Sequence, residues 1–297
     1  MIKIQGLTHA FGDHVVLENV EMEAPEATIM GLVGINGAGK STLLRLMSGV
    51  YIPQQGTITY DGKSPMEAQT RKDIFLLPDD PFFTNNTNCE GLFELYKNFY
   101  PDADENVFKE MTTDYYKLPP RKPLKGFSKG MRRQAFISLA FAVAPKYLLL
   151  DEAFDGLDPL ARKMFKERLK RLIDEKGSTV IISSHALKEL EDFCDSYVMI
   201  DGKRLMSSGM VLEKSMDLHK YQMAFTKEID EDTFANLPVK SLKITGHFAT
   251  VVLEGSAEDT MAKLNALEPA VMDKIDVNFE EAFIDDVDRK ITEEHKS

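Results

Sequence analysis

Residues 34–42 read Gly34-Ile35-Asn36-Gly37-Ala38-Gly39-Lys40-Ser41-Thr42. Glycines followed by a lysine and a hydroxyl residue, at this spacing, form the pattern of a phosphate-binding loop. The glycines let the backbone curl so that successive N–H groups point at anionic oxygens. Lys40 can reach the β- and γ-phosphates of a nucleotide, and the Ser41 hydroxyl can ligate Mg²⁺. The stretch therefore predicts binding of a nucleoside triphosphate.

The residues on either side of the loop support this interpretation. Ile29–Val33 predicts a buried strand, and Thr42–Met47 predicts a helix that ends near Gly49. A helix that begins near Lys40 adds the positive end of its dipole to the anion site. The alternative is a chance glycine-rich turn, and the flanking strand and helix argue against it.

Length and composition indicate a soluble protein of about two domains. The chain has 297 residues, of which 43% are hydrophobic and 28% are charged. Its longest apolar runs, such as 136–144, are shorter than the roughly 20 residues of a membrane-spanning helix. The first residues predict a strand rather than an export signal, and the two cysteines fit a reducing compartment. We expect a cytoplasmic protein, and the net charge of −12 argues against nucleic acid as a general partner.

The order of the predicted elements indicates an α/β core. Short strands are predicted at Ile2–Ile4, Val15–Leu17, Val20–Met22, Thr57–Tyr60, Asp73–Leu77, Tyr147–Leu150 and Thr179–Ser183. A charged helix is expected at Pro159–Lys176. Residues 88–144 have helical periodicity and are interrupted at Pro119-Pro120. This pattern predicts an α/β core with a helical insert of about residues 82–145.

A second domain is predicted at residues 212–297. Its elements are expected at 221–225, Glu231–Leu237, Ser241–Thr245, Phe248–Leu253, Ala257–Leu267, Ile275–Val277 and Phe279–Thr292. The order β-α-β-β-α-β is that of a small α+β ferredoxin-like domain. Gly246-His247 fits the two-residue turn of its hairpin. This part of the sequence contains no catalytic set of residues.

Three more motifs follow the phosphate loop. They read Phe127-Ser128-Lys129-Gly130-Met131-Arg132-Arg133-Gln134, Tyr147-Leu148-Leu149-Leu150-Asp151-Glu152 and Ser183-Ser184-His185. In this order and spacing they resemble the nucleotide-binding subunit of ATP-binding-cassette (ABC) transporters, over about residues 2–210. The S-K-G-M form of the first motif is similar to that of bacterial single-cassette subunits, which work with separately encoded membrane subunits. The resemblance implies a P-loop NTPase cassette at residues 1–211 with an antiparallel β subdomain.

Asp151, Glu152 and His185 are the candidates for the chemistry. Asp151 ends an apolar strand, the usual place for a carboxylate that holds Mg²⁺ directly or through water. Glu152 points the other way and can polarise the attacking water as general base. His185 ends the next strand, where the resemblance implies a residue that contacts the γ-phosphate. A surface acidic pair and a structural histidine are the alternatives, and the buried strands before these residues favour function.

The resemblance also implies a dimer and a base-stacking residue. Ser128 and Gly130 precede a helix whose N-terminus would complete the ATP pocket of a partner subunit. A head-to-tail dimer with two ATP molecules between subunits follows, with Asp158 in the loop at the seam. Phe11 matches the aromatic residue that stacks on adenine in the family, and the alternative is a core phenylalanine in a β-hairpin. Preference for ATP over GTP comes from the resemblance alone.

Three departures from the family pattern are visible. Asp79 stands where the family usually has glutamine, and it is expected to reach Mg²⁺ through water. Lys129 and Met131 replace a glycine and a glutamine, and Ala153-Phe154-Asp155 replaces a Pro-Thr-Ser or Pro-Thr-Asn stretch. None of these changes removes the acid, the base or the phosphate ligands, so hydrolysis is expected to be intact.

More than one function stays open at this point. The leading hypothesis is an ATPase subunit that drives a separately encoded permease through a docking surface near Asp79–Glu94. Phe82, Phe83 and Phe93 belong to this surface, or alternatively to the core of the insert. A soluble ATPase acting on nucleic acid or a protein assembly is disfavoured by the single cassette without heptads. A non-hydrolysing regulatory module is disfavoured by the Asp151-Glu152 pair.

Overall fold

The computed structural model describes residues 1–185, 190, 193–207 and 218–275. The chain divides into two compact units, Met1–Met206 and Ser207–Ser297. The boundary predicted at residue 211 stays a prediction, because residues 208–217 lie outside the described residues.

A six-stranded sheet forms the centre of the first unit. Its strands are β3 (Ile29–Val33), β5 (Ile74–Leu77), β6 (Tyr147–Leu150), β7 (Thr179–Ser184), β8 (Ser196–Asp201) and β9 (Arg204–Ser207). They lie in the order β5-β6-β7-β3-β8-β9, and the pairs from β5 to β8 are parallel. Every residue of β3, β6 and β7 is buried, as is typical of parallel strands covered on both faces. Because parallel strands end at one edge, the residues that follow β3, β5, β6 and β7 lie side by side.

A three-stranded antiparallel sheet forms the β subdomain. Its strands are β1 (Ile2–Phe11), β2 (His14–Ala24) and β4 (Gln55–Tyr60), in the order β2-β1-β4. The prediction of two short strands at Val15–Leu17 and Val20–Met22 was wrong, because both belong to β2. The β1–β2 register shifts three times, and Asn19 has a left-handed φ of 46°. Each shift changes which side chains face the core, so the alternation expected of one long strand is lost.

The helix after the phosphate loop, α1 (Lys40–Met47), packs into a core shared by both sheets. Its leucines Leu43, Leu44 and Leu46 are fully buried. The hydroxyl of Tyr60, at the end of β4, donates to the carbonyl oxygen of Met47 at 2.9 Å. Burial of each leucine side chain contributes about 1.5–3 kcal/mol. The core therefore fixes the helix that begins directly at the phosphate loop.

The helical insert is a series of short helices followed by one long helix. Its elements are α3 (Cys89–Lys97), α4 (Glu105–Lys109), a π-helical turn (Glu110–Tyr115), a 3₁₀ turn (Leu124–Gly126) and α5 (Lys129–Val143). The interruption predicted at Pro119-Pro120 is confirmed, since these residues lie between the π and 3₁₀ turns. Outside the insert, α2 (Ala68–Lys72) precedes β5, and α6 (Pro159–Lys176) has the predicted bounds. Within the described ranges, none of the helices combines the length and apolar character needed to cross a bilayer.

The second unit contains a four-stranded antiparallel sheet. Its elements are β10 (Leu218–Ala224), a 3₁₀ turn (Glu231–Phe234), β11 (Val239–Thr245), β12 (Phe248–Glu254), α7 (Ala257–Asn265) and β13 (Val271–Ile275). The strand order is β11-β12-β10-β13, which is the order of a ferredoxin-like sheet. A core of buried residues, including Tyr221, Phe234 and Leu264, lies under this sheet.

Two predicted elements of this unit were wrong in type or position. The helix expected at Glu231–Leu237 is a single 3₁₀ turn, closed by reciprocal hydrogen bonds between Asp230 and Thr233. Pro238 disfavours helical backbone at the residue before it, so the turn cannot extend. The last strand is Val271–Ile275, four residues earlier than its predicted start. The predicted helix Phe279–Thr292 lies outside the described residues.

Asp61 joins the β subdomain to the parallel sheet and makes stability depend on pH. Its carboxylate accepts hydrogen bonds from Lys146, from the amino group of Met1 and from Tyr147, each at 2.6 Å. These bonds, that of Lys146 foremost, hold the pKa of Asp61 below its usual range. The stabilisation is complete above the pKa of the unfolded chain and is lost as pH falls toward the folded pKa.

We expect Asp61→Asn to lower the free energy of unfolding at pH 7 by about 1 kcal/mol or less, because the carboxylate is partly exposed. Asparagine tolerates the left-handed φ of 50° at this position, so backbone strain does not contribute. Urea unfolding of both proteins at pH 7 and pH 3.5 measures the effect. The difference should shrink at the lower pH, and an equal difference at both pH values would contradict the ion-pair explanation.

Candidate nucleotide-binding and catalytic site

Four neighbouring strand ends bring the predicted site residues to one edge of the parallel sheet. The phosphate loop follows β3, His185 follows β7, Asp151 and Glu152 follow β6, and Asp79 comes after β5. The register pairs Leu77 with Leu150, Leu150 with Ile182, and Val33 with Ser184, so these ends are level. Residues that are 33 to 151 positions apart in sequence thus meet in one site.

The phosphate loop adopts a backbone conformation that requires glycine at several positions. Gly37 and Gly39 have φ values of 86° and 106°, which other residues rarely adopt. A Cβ atom at Gly34 would lie 2.9 Å from the carbonyl oxygen of Ile200, and one at Gly39 would lie 3.0 Å from Val16. The loop tip is exposed, and α1 begins at its end, so the first N–H groups of the helix face the loop. This geometry fits an anion.

Lys40 connects the phosphate loop to the carboxylate of Glu152. Its side chain is 5% exposed, and its Nζ donates to the carbonyl oxygens of Gly34 at 2.6 Å and Ile35 at 3.2 Å. The same Nζ lies 3.2 Å from Oε1 of Glu152. The amine is therefore held at the loop, beside the carboxylate predicted to be the general base.

Glu152 is held between a cation and an imidazole. Its Oε2 lies 3.0 Å from Nδ1 of His185, while Oε1 pairs with Lys40. The backbone of Glu152 is left-handed, with a φ of 47°. Such a conformation costs about 1–3 kcal/mol in a residue other than glycine and is concentrated at functional sites. The predicted base and the predicted switch residue are thus in direct contact.

Ser183 is a site residue that the sequence analysis missed. Its buried hydroxyl donates to Oδ1 of Asp151 at 2.8 Å and accepts from the backbone N–H of Glu152 at 2.9 Å. Asp151 is 2% exposed. A serine near the end of a fully buried strand was the available signal, since buried hydroxyls need partners. Ser183 fixes the predicted metal ligand and the predicted base relative to each other.

Replacing Ser183 by alanine should lower both stability and turnover. The change leaves the partly buried N–H of Glu152 and one buried oxygen of Asp151 without this partner, at a cost of about 1–3 kcal/mol. We expect ATP turnover to fall roughly tenfold, the equivalent of about 1.4 kcal/mol in the barrier. Steady-state hydrolysis and urea unfolding measure the two effects. Ser138→Ala is a matched control, because that hydroxyl bonds only within α5 at 2.8 Å. Equal effects of both variants on turnover would contradict the assignment.

The donors for Mg²⁺ are oxygens, as this ion prefers. Ser41 lies in the first turn of α1, and Asp151 is buried at the end of β6. Asp79 differs from this pair, because its Oδ1 accepts from Arg133 at 2.6 Å and lies 3.3 Å from Lys129. If Asp79 binds a metal, Oδ2 is therefore the oxygen that would do so, because Oδ1 already contacts both cations.

A second group of potential ligands lies beside the first. Ligand atoms of Glu152, Asp155 and His185 lie within 4.8 Å of one another. This set contains an imidazole nitrogen, which suits Mg²⁺ poorly. Glu152 and His185 already contact each other, so the oxygen donors Ser41 and Asp151 fit Mg²⁺ better.

The signature residues lie at the N-terminus of α5. The Ser128 hydroxyl caps this helix by accepting from the N–H of Met131 at 3.1 Å. A Cβ atom at Gly130 would lie 2.3 Å from the carbonyl oxygen of Gly156, so only glycine fits. Asp158 caps α6 by accepting from the N–H of Ala161 at 2.9 Å. Both loops predicted to face a partner subunit are therefore in contact within this chain.

Phe11 is an exposed aromatic residue rather than a core residue. It ends β1 with 49% of its surface exposed. Its ring lies 5.6 Å from that of Tyr51 and 5.0 Å from that of His9. Tyr51, which the sequence analysis missed, belongs to this ring cluster. The exposure agrees with a surface that a base can stack on.

The aromatic residues of the insert separate into two groups. Phe93 is buried in the insert at 2% exposure, which supports the core alternative for this residue. Phe82 is 85% exposed, and Phe99 and Leu95 are also among the exposed hydrophobic residues of the insert. Phe82 is therefore accessible at the surface, as the docking interpretation requires.

Comparisons with known proteins find similar ATP-binding proteins of transporters. The chain is 30% identical to the ABC transporter ATP-binding protein YtrB of Bacillus subtilis, over 96% of this chain and 97% of that protein. It is 29% identical to the bacitracin transport ATP-binding protein BcrA of Enterococcus faecalis, over 76% and 73% of the two chains. A solved ATP-binding subunit of an ABC transporter matches with a TM-score of 0.65 and 26% identity, over 72% of this chain and 92% of that one.

A sequence model of the family described as "ABC transporter" matches residues 17–155. The chain belongs to the ATP-binding proteins of ABC transporters. It is accordingly a nucleotide-binding ATPase of transport systems, as the resemblance implied.

Proposed function

We propose that two copies of this cassette, or this cassette and a related one, close around two ATP molecules and drive a separately encoded membrane permease. The observation that carries the proposal is the position of Glu152. Its carboxylate lies between His185 and Lys40, the lysine at the end of the phosphate loop. In this arrangement Glu152 would serve as the base, Lys40 as the phosphate-binding cation and His185 as the γ-phosphate sensor.

The contacts of Glu152 suggest how nucleotide binding prepares hydrolysis. Lys40 pairs with Glu152 in this conformation, and bound β- and γ-phosphates would draw the amine toward themselves. Glu152 could then accept a proton from the water that attacks the γ-phosphorus, with ADP leaving. His185 would hold the carboxylate through Nδ1 and turn its other nitrogen to the γ-phosphate. Ser41 and Asp151, with Asp79 through water, would hold Mg²⁺, which would supply positive charge to neutralise the phosphates.

The second part of the proposal concerns the partner cassette. Ser128 and Gly130 present the N-terminus of α5, whose dipole favours an anion. This helix end would bind the γ-phosphate held by the partner, while Asp158 lies at the seam. Phe11 would stack on adenine in its own subunit. Two such sites per dimer fit head-to-tail pairing.

The third part concerns the membrane. Relatives include a bacitracin transport ATP-binding protein and a lantibiotic transport ATP-binding protein. We propose that this chain likewise lies on the cytoplasmic face of a membrane, bound to a permease through the insert near Phe82. Nucleic acid is not an expected partner, given the net charge of −12.

The test is recovery of the permease with a cassette that binds ATP but does not turn it over. The tagged Glu152→Gln chain is incubated with ATP and detergent-solubilised membranes of the native cell, and co-purified proteins are identified by mass spectrometry. Stoichiometric recovery of a polytopic membrane protein, lost in Phe82→Ser, is expected. Recovery of soluble proteins alone would favour a soluble ATPase instead.

A further inference from the structure

The three departures from the family pattern contact each other. Nζ of Lys129 lies 3.3 Å from Oδ1 of Asp79 and 3.5 Å from Oδ2 of Asp155. These residues come from three separate motifs: the residues after β5, the start of α5 and the turn after β6. Lys129 thus links Asp79 and Asp155 in one ion-pair cluster.

A buried arginine completes this cluster. Arg133 is 2% exposed and lies one helical turn after Lys129 in α5. Its Nη1 donates to the carbonyl oxygens of Pro78 at 2.9 Å and Asp151 at 3.3 Å. Its Nη2 donates to the carbonyl oxygen of Asp79 at 2.8 Å and to Oδ1 of Asp79 at 2.6 Å. One guanidinium thus binds the ends of both β5 and β6.

The helix itself gives no reason for the lysine at its start. Lys129 lies in the first turn of α5, where a positive side chain opposes the helix dipole. This first turn contains no acidic residue that would offset the charge. Asp79 and Asp155, which come from other loops, supply the opposite charge. Lys129 is therefore best explained by the contacts that it makes outside the helix.

The turn that carries Glu152 is tied to α5 at both ends. Arg133 binds the carbonyl oxygen of Asp151, immediately before Glu152. Lys129 binds the carboxylate of Asp155, whose N–H donates to the carbonyl oxygen of Glu152 at 3.0 Å. The left-handed backbone of Glu152 lies between these two attachments. A small movement of α5 would therefore move the catalytic carboxylate.

We propose that Lys129 and Arg133 are positioning residues for ATP hydrolysis, which set the turn of Glu152 through Asp79, Asp155 and the carbonyl oxygen of Asp151. We call these four side chains, Asp79, Lys129, Arg133 and Asp155, the α5 cluster. The inference rests on the ATPase activity of the chain. It gives Asp79 a structural role, because its carboxylate pairs with Lys129 and Arg133. A neutral glutamine at this position could not form these ion pairs.

The first test compares Lys129→Met, Asp79→Asn and the double variant by steady-state ATP hydrolysis. Because the α5 cluster acts on the geometry of Glu152, each single change should lower kcat roughly threefold to tenfold while KM for ATP stays within about twofold. The double variant should be less impaired than the product of the two single effects, since both changes break the contact between Lys129 and Asp79. Multiplied effects, or a change in KM alone, would overturn the proposal.

Lys125→Met is the matched control. It removes one positive charge close to the start of α5, and Lys125 has no ion pair among the residues that the structure describes. Its kcat should equal that of the unaltered chain. A loss like that of Lys129→Met would mean that charge near the helix, and not the contact with Asp79 and Asp155, affects turnover.

A second measurement does not depend on activity. Amide hydrogen exchange of peptides covering residues 152–157 should be faster in Lys129→Met than in Lys125→Met, because the turn has lost an attachment. Arg133→Lys keeps a charge but cannot reach all four acceptors, so it should resemble Lys129→Met in both readouts. If amide exchange of residues 152–157 is unchanged in both Lys129→Met and Arg133→Lys, the proposal is overturned, regardless of how fast these variants hydrolyse ATP.

Discussion

Glu152→Gln is expected to lower the kcat for ATP by about 10²- to 10⁴-fold, the usual contribution of a positioned general base. Glutamine has the same shape, and its amide can still face His185 and Lys40, so ATP binding should persist. The ATP-bound state should then accumulate as a dimer, because the step that reopens it is blocked. Turnover and size-exclusion chromatography with and without ATP measure both effects, against a 33.5 kDa monomer.

The control for this variant is Glu175→Gln. Glu175 is an exposed residue of α6 and has no part in the site. It should hydrolyse ATP at the rate of the unaltered chain and show no trapped dimer. Turnover of Glu152→Gln within twofold of that rate would show that another group accepts the proton.

Lys40→Met is expected to weaken MgATP binding roughly 100-fold, or about 2.7 kcal/mol. Hydrogen bonds to charged groups contribute about 1.5–3 kcal/mol each, and Lys40 is placed to make more than one to the phosphates. The variant also leaves the largely buried carboxylate of Glu152 without its cation. Isothermal titration calorimetry gives the dissociation constant, and circular dichroism checks that the fold is kept.

The neutral side chain of methionine keeps most of the volume of lysine, so the variant tests charge and hydrogen bonding. Lys72→Met, on the exposed end of α2, is the comparison and should bind MgATP normally. If Lys40→Met bound ATP as tightly as Lys72→Met, the phosphate loop would not hold the nucleotide through this residue.

The part of the site that the sequence predicted depends on local patterns. The phosphate loop is contiguous in sequence. Its glycines are required by the backbone conformation, and Lys40 is required to reach the phosphates, so the pattern can be recognised locally. Asp151, Glu152 and His185 could be placed because each follows a short apolar run, and parallel strands end at one edge. The four strands that end at this edge, β3, β5, β6 and β7, could therefore be predicted from apolar runs of fewer than ten residues.

The part that the sequence did not predict depends on contacts between distant residues. Arg133 meets Asp79 at 2.6 Å across 54 positions, and nothing in either motif specifies that contact. Ser183 was missed because its role depends on which strand lies beside β7. The sequence analysis predicted two short strands in place of β2, because register shifts disrupt the alternation of buried and exposed residues. It also predicted a helix where the structure has a 3₁₀ turn before Pro238, because local propensity does not distinguish the two.

The parallel sheet also determines where this chain can change in length during evolution. Strands β6 and β3 both flank β7, and neighbouring strands lie about 4.8 Å apart, so their loops are separated by about 10 Å. A deletion of one residue within β6 would move Asp151 by about 3.3 Å and turn its side chain to the opposite face. Insertions and deletions should therefore be confined to the surface turns and the helical insert. Divergence in these regions can alter the partner without altering the distance between Glu152 and the phosphate loop.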